Sequence, residues 1–176
     1  VFPFLFIIMG ITFGLGSGAT TVIAQFIGAK DKKNADNAAE HTILLGLVIS
    51  IIIIFIGFYY GDKLLGIQGA DSETIDMALD YFYILVGGSI FMVLPFFFRS
   101  ILAGVGEITF PMIILVAGTI LNLILDPIFI YYYNIAGAAI ATVISQALVT
   151  LIFIYFFLFR QRSYVTINLR DFKYNY

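Results

Sequence analysis

No cysteine occurs in the 176 residues, which excludes disulfide bonds, thiol catalysis and Cys-ligated metals. Histidine occurs once, at His41, so neither a histidine metal pair nor a histidine relay has a second member. Charge is scarce as well: Asp, Glu, Lys and Arg make up 11% of the chain, against about a quarter of an ordinary soluble domain. A globule of that composition could not keep its surface wet, so a soluble fold is excluded. No basic stripe is present to suggest nucleic acid as a partner. The net charge of −2 says little, because in a membrane chain the distribution of Lys and Arg between loops matters more than the total. Val1 stands directly before apolar sequence with neither an initiator Met nor a basic leader, so no signal peptide is expected and the chain reads as truncated at its start.

What is abundant is apolar length. At 61% hydrophobic and 17% aromatic, the chain reads as an all-α, polytopic integral membrane protein. Five stretches, at 2–27, 42–60, 78–103, 110–132 and 137–159, approach the ~20 residues a helix needs to cross the hydrocarbon core. The segment 28–41 between the first two holds Lys30, Lys32 and Lys33; the segment between the next two holds Lys63 and four acids. By the positive-inside rule the first is a cytoplasmic loop and the second external. Alternation then puts GVGEIT (104–109) inside, NIAG (134–137) outside as a tight turn, and the tail 160–176, with Arg160, Arg162, Arg170 and Lys173, inside. Tyr59, Tyr60, Tyr131, Tyr132 and Tyr133 all fall at the external interface, where aromatic belts form. Asp71 or Ser72 is expected to cap the third helix, with Glu73 in its first turn. Asp62 and Lys63 read as loop charges, His41 as the opening of a helix, and Arg99 as a side chain snorkelling to the cytoplasmic surface.

Small residues mark where helices approach. Gly10, Gly14 and Gly18 recur every four residues in the first span, and Gly137, Ala141 and Ser145 do so in the last. Both stripes predict close helix packing, with no further function required. Pro95 and Pro127 are candidate bends, since a mid-helix proline removes one hydrogen bond, whereas Pro111 reads as a helix start.

One residue in these spans stands out chemically. Asp126 lies inside FPMIILVAGTILNLILDPIFIYY (110–132), and an ionisable group at that depth costs from about 3 kcal/mol upward. Asn122 is one helical turn before it, and Gly118 one turn before that, on the same face. Pro127 leaves a carbonyl near Leu123 without its helical donor. A carboxylate, an amide oxygen and a spare carbonyl suit a hard cation, and the carboxylate could instead carry a proton. Thr142, Ser145 and Gln146 form a polar stripe on the last span. With NIAG as a tight turn, Thr142 should face Asn122 and Asp126. A structural carboxylate that locks helices together is the plainer alternative for Asp126.

Three ordered segments, GLGSGATTVIAQFIGAKDKKNADNAAEH (14–41), GVGEITFPMIILVAGTILNLILDPIFIY (104–131) and GAAIATVISQ (137–146), resemble the multidrug and toxic compound extrusion (MATE) family. The resemblance implies helices two to six of the N-terminal lobe of a twelve-helix transporter over residues 1–159, and the start of the cytoplasmic inter-lobe linker over 160–176. It implies drug efflux in antiport with protons or sodium ions, with Asp126, Asn122 and Thr142 matching the lobe's cation site. No cofactor is implied, and no metal apart from transient sodium at Asp126. Partners implied are the bilayer, small organic substrates, and a first helix and C-terminal lobe not contained in these residues. An Asn that related proteins carry on the fourth helix has no counterpart near Pro95 and Arg99.

The expected function is therefore export of organic, often cationic, compounds across the cell membrane by alternating access, rather than an enzyme. A flippase for lipid-linked sugars from a related branch ranks below it, because Arg99 is the only basic residue well inside a span. An intramembrane enzyme would need a second acid, His or metal ligand converging on Asp126, and a structural membrane subunit would need only its hydrogen bonds.

Overall fold

The computed structural model describes residues 2–67 and 72–159, with side chains over 6–63 and 78–158. Within these residues lie five helices: α1 (Phe2–Gly28), α2 (Lys32–Ile67), α3 (Ser72–Gly87), α4 (Ser89–Gly104) and α5 (Thr109–Phe159). The expected caps at Asp71, Ser72 and Glu73, and the tail with Arg160, Arg162, Arg170 and Lys173, lie outside the described side chains.

α5 is two helices. A straight run of its 51 residues would be about 76 Å long, more than twice the ~30 Å hydrocarbon core. At Asn134 the backbone turns to φ 51° and ψ −135°, and the arms 109–133 and 135–159 fold back on each other. Ring contacts of Phe110 with Phe153 and Phe156, at 6.0 and 4.1 Å between centroids, hold the far ends of this hairpin together. α1, α2 and α5 are each long and apolar enough to cross a membrane, and α3 with α4, bent by 47° at Gly88, is so when taken together. With α5 counted as two arms, the five expected crossings are present.

Several expected boundaries move. The polar segment 28–41 is not a long loop: α1 ends at Gly28 and α2 begins at Lys32. The turn between them is tight because Asp31 caps α2, its Oδ1 accepting from the Asn34 backbone N–H at 3.2 Å and its Oδ2 from the Asn34 side chain at 2.7 Å. Lys30 takes φ 58° to make the corner. His41 therefore lies well inside α2 rather than opening a helix. Asp62 and Lys63 also belong to α2, which runs on to Ile67; Asp62 accepts a hydrogen bond from the Tyr83 hydroxyl of α3 at 3.0 Å. Periodicity misplaced these ends because amphipathic polar turns extend the helices beyond their apolar stretches. The 104–109 connection is as expected, with Glu107 capping α5 through the Phe110 N–H at 3.0 Å and Pro111 in its first turn.

α4 is the hub, packing against α1, α2 and the second arm of α5. Its Leu94, Phe98 and Leu102 join Val149, Phe153 and Phe156 in one buried cluster. Ile101 closes against Ile23 of α1 and Ala35 and Ala39 of α2. The outward faces of α1, α2 and the first arm carry exposed Phe, Ile, Leu and Tyr side chains, the pattern of helices that meet lipid or further helices rather than water.

Neither proline interrupts its helix. α4 runs through Pro95 and the first arm of α5 through Pro127; the breaks fall at Gly88 and Asn134 instead. Gly88 sits where any Cβ would collide with the Val143 side chain of α5, so the backbone itself forms that contact and α3 and α4 diverge around it. At Pro95 the missing N–H would have bonded the Phe91 carbonyl. Thr150 of α5 replaces it: its hydroxyl lies 3.2 Å from Phe91 O and 2.8 Å from Gln146 O. With its freed carbonyl satisfied by a neighbour, the proline can be fully buried without breaking the helix.

The two small-residue stripes part company. Gly137, Ala141 and Ser145 pack as expected: Ala141 and Ser145 are buried, and a Cβ on Gly137 would strike the Phe129 carbonyl across the turn. Gly10, Gly14 and Gly18 have nothing within 4 Å of such a Cβ among the described residues. The close contact of α1 is made at Gly16, where such a Cβ would lie only 2.6 Å from the Phe96 ring and 2.7 Å from the Ser100 hydroxyl. The i, i+4 spacing identified a groove but not which face of α1 the bundle uses.

Candidate cation site

The α5 hairpin brings the three expected site residues together. Asp126 is eight residues before Asn134 and Thr142 eight after it, so both sit at the same depth, about 12 Å along their arms from the turn. Asn122 lies one turn beyond Asp126. Its amide Nδ2 donates to Asp126 Oδ1 at 3.1 Å and approaches Thr142 Oγ1 at 3.4 Å. The Thr142 hydroxyl donates to its own i−4 carbonyl, Ala138 O, at 2.9 Å, which leaves its oxygen lone pairs facing the Asn122 amide. All three side chains are half-buried.

Gly118 sets the spacing of the arms. A Cβ there would overlap the Val149 side chain, so the helices approach through the glycine one turn behind Asn122. The second arm's polar stripe does not reach the site as a whole: Thr142 does, whereas the Ser145 hydroxyl is buried without a hydrogen-bond partner. The Leu123 carbonyl, left without its helical donor by Pro127, receives no side-chain hydrogen bond among the described residues.

The donor set is a carboxylate, an amide and a hydroxyl, all oxygen ligands once the amide oxygen is included. That is hard-cation or proton chemistry and does not suit soft transition metals. Among the described residues no group of three or more His, Cys, Asp or Glu is placed to hold a metal ion.

The residues that sequence reasoning missed are Thr150 and Asn134. Thr150 continues the stripe of Thr142, Ser145 and Gln146 at helical spacing, and its pairing with a proline-freed carbonyl on another helix leaves no local signal. Asn134 was visible as part of a turn, Asn being among the few residues that tolerate positive φ.

An apolar helical bundle with a half-buried carboxylate inside one span, tied through the Asn122 amide to the facing arm of a hairpin, is the architecture of an integral membrane protein. The MatE family model matches residues 1–128, and the chain belongs to that family of multidrug efflux transporters. The multidrug export protein MepA of Staphylococcus aureus (strain MRSA252) is 31% identical over 170 residues, covering 96% of this chain and 38% of the relative. Two solved structures of a multidrug resistance MATE family transporter of the MOP superfamily are similar at 36% identity. The inward-facing one has TM-score 0.91 and covers 96% of this chain and 39% of its own. The outward-facing one has TM-score 0.92 and covers 98% and 39%. The chain thus spans somewhat over a third of the length of the proteins it matches.

Proposed function

We propose that residues 1–159 form most of one lobe of a multidrug exporter, and that Asp126, Asn122 and Thr142 bind the cation, H⁺ or Na⁺, whose inward flow drives export of organic, often cationic, compounds. The observation that carries this reading is the Asn122 bridge: one amide ties the only acid of α5 to a hydroxyl on the opposite arm. Binding or losing a positive charge there changes the bonds between two helices. A carboxylate serving only to lock the hairpin would need no spare carbonyl beside it, and Pro127 supplies one.

The near-equal likeness of the chain to inward-facing and outward-facing structures, at 0.91 and 0.92, supports a segment that keeps its internal shape while it moves against the remainder of a longer protein. In this reading the tyrosine-bearing end is external and the Lys30, Lys32 and Lys33 turn is cytoplasmic, in the cell membrane, with 160–176 beginning a cytoplasmic linker.

The test uses a transporter that contains these residues, expressed in cells and assayed for gradient-driven export of a fluorescent organic cation. Asp126→Asn retains the hydrogen-bonding shape but not the charge, and should abolish coupled export at unchanged membrane abundance. Undiminished export would exclude a coupling role; a fall in abundance with normal export per molecule would identify a structural carboxylate.

A further inference from the structure

Between α1 and α4, opening about 12 Å of helix inward from the α1 end at Gly28, lies a cavity of about 170 Å³ lined by Phe13, Ser17, Thr20, Phe96, Arg99 and Ser100. Arg99 is the only cation on α1 or α4, and guanidinium does not deprotonate. α1 and α4 contain no Asp or Glu at all, and Arg99 makes no ion pair among the described residues. Its one recorded contact is the Phe96 ring, 5.9 Å from the guanidinium carbon. A permanent charge in a span without a countercharge on either helix that forms its pocket calls for an anion from elsewhere.

The hydroxyls narrow the chemistry. Thr20 Oγ1 is engaged with Gly16 O at 3.0 Å and Ser100 O at 2.9 Å, and Ser100 Oγ donates to Phe96 O at 3.0 Å. The Ser17 hydroxyl has no such engagement among the described residues. The free donors are therefore the planar guanidinium and one hydroxyl, a set that matches the oxygens of a phosphate. Depth selects the source. Arg99 is five residues from the end of α4 at Gly104, about 7.5 Å of helix, within reach of the headgroup layer for a snorkelling arginine. The three lysines at the same end of the bundle favour anionic lipid there.

We propose that the α1–α4 cavity binds the phosphate of an anionic phospholipid, held by the Arg99 guanidinium and the Ser17 hydroxyl. The site stands apart from the Asp126 cluster and does not depend on the function assigned to it.

Native mass spectrometry of a transporter that contains these residues, in detergent and titrated with dioleoyl phosphatidylglycerol or dioleoyl phosphatidylcholine, reads the occupancy, and circular dichroism checks the fold of each variant. The wild type should prefer phosphatidylglycerol by about tenfold, the scale of one good charge-assisted contact. Arg99→Gln should remove the preference and Arg99→Lys should keep part of it. Ser17→Leu, which fills the cavity from α1 without changing charge, should lower it independently of any effect of Arg99 on folding. A triple Lys30→Gln, Lys32→Gln, Lys33→Gln variant should keep it. The proposal fails if folded Arg99→Gln and Ser17→Leu variants retain the wild-type preference, or if the triple lysine variant loses it. It fails too if inorganic phosphate competes as well as the lipid does, since the ligand would then be a free anion.

Discussion

Thr150→Val should destabilise the bundle only while Pro95 is present. The substitution is nearly isosteric, so it opens no cavity, but it removes the hydroxyl that replaces the missing donor at the Phe91 carbonyl. A buried carbonyl left unpaired costs about 1–3 kcal/mol, whereas side-chain hydrogen bonds between membrane helices average only about 0.6 kcal/mol. Here the contact is 3.2 Å long and shared with Gln146 O at 2.8 Å, which places the expected loss near the lower end, at about 1 kcal/mol. That is about a fivefold drop in the folded-to-unfolded ratio. Pro95→Ala restores a backbone N–H to α4 and gives the Phe91 carbonyl its ordinary helical partner. In that background Thr150→Val should cost close to nothing, so the double-mutant cycle should return about 1 kcal/mol of coupling. Reversible unfolding of the full chain in mixed micelles with increasing SDS, followed by circular dichroism, measures all four corners. Equal losses in the two backgrounds would refute the exchange of donors, as would no loss in the wild-type background.

Two further substitutions probe the hairpin. Gly118→Leu inserts a side chain where even a Cβ meets Val149, and should destabilise by about 1–3 kcal/mol in the same unfolding assay; Val149→Ala should recover part of the loss. Asn134→Gly should leave stability unchanged or raise it by up to about 1 kcal/mol by relieving the positive-φ backbone, while Asn134→Val should lower it by more.

The five crossings and the trio Asp126, Asn122 and Thr142 were legible because they rest on signals that do not need tertiary context. Membrane length follows from apolar composition, and an acid in lipid-length sequence draws attention by its cost alone. Two polar residues either side of a four-residue turn must meet if the turn is tight. What was not legible depends on which face a helix turns inward. Gly10, Gly14 and Gly18 have the spacing of a packing stripe, yet Gly16 makes the contact with α4, because one row of small residues says nothing about where a neighbour stands. Pro95 reads as a candidate bend of the third span, but Thr150 relieves it from another helix and the break falls at Gly88, where Val143 leaves no space for a side chain. The segment 28–41 was read as a loop from its polarity, and Asp31 shows why most of it is not: a cap on the first turn allows polar residues to continue as helix beyond the lipid.

If Asp126 holds the coupling ion as proposed, the Asn122 amide has a consequence for how firmly that ion is held. A primary amide is nearly the same shape at both ends but opposite in polarity, so half a turn about its last bond exchanges hydrogens for oxygen in the same space. With the hydrogens toward Asp126 and Thr142, the carboxylate has a partial positive partner even when no cation is near, and the hairpin keeps its spacing. A proton can take Asp126 Oδ2 and leave the bond at Oδ1 in place, but an arriving Na⁺ would have to turn the amide over and break two hydrogen bonds of about 1 kcal/mol each. That weakens Na⁺ affinity by about thirtyfold relative to a site with its oxygen already in place. A site built in this way is easy to empty, and a transporter that must release its ion in every cycle requires that as much as it requires binding.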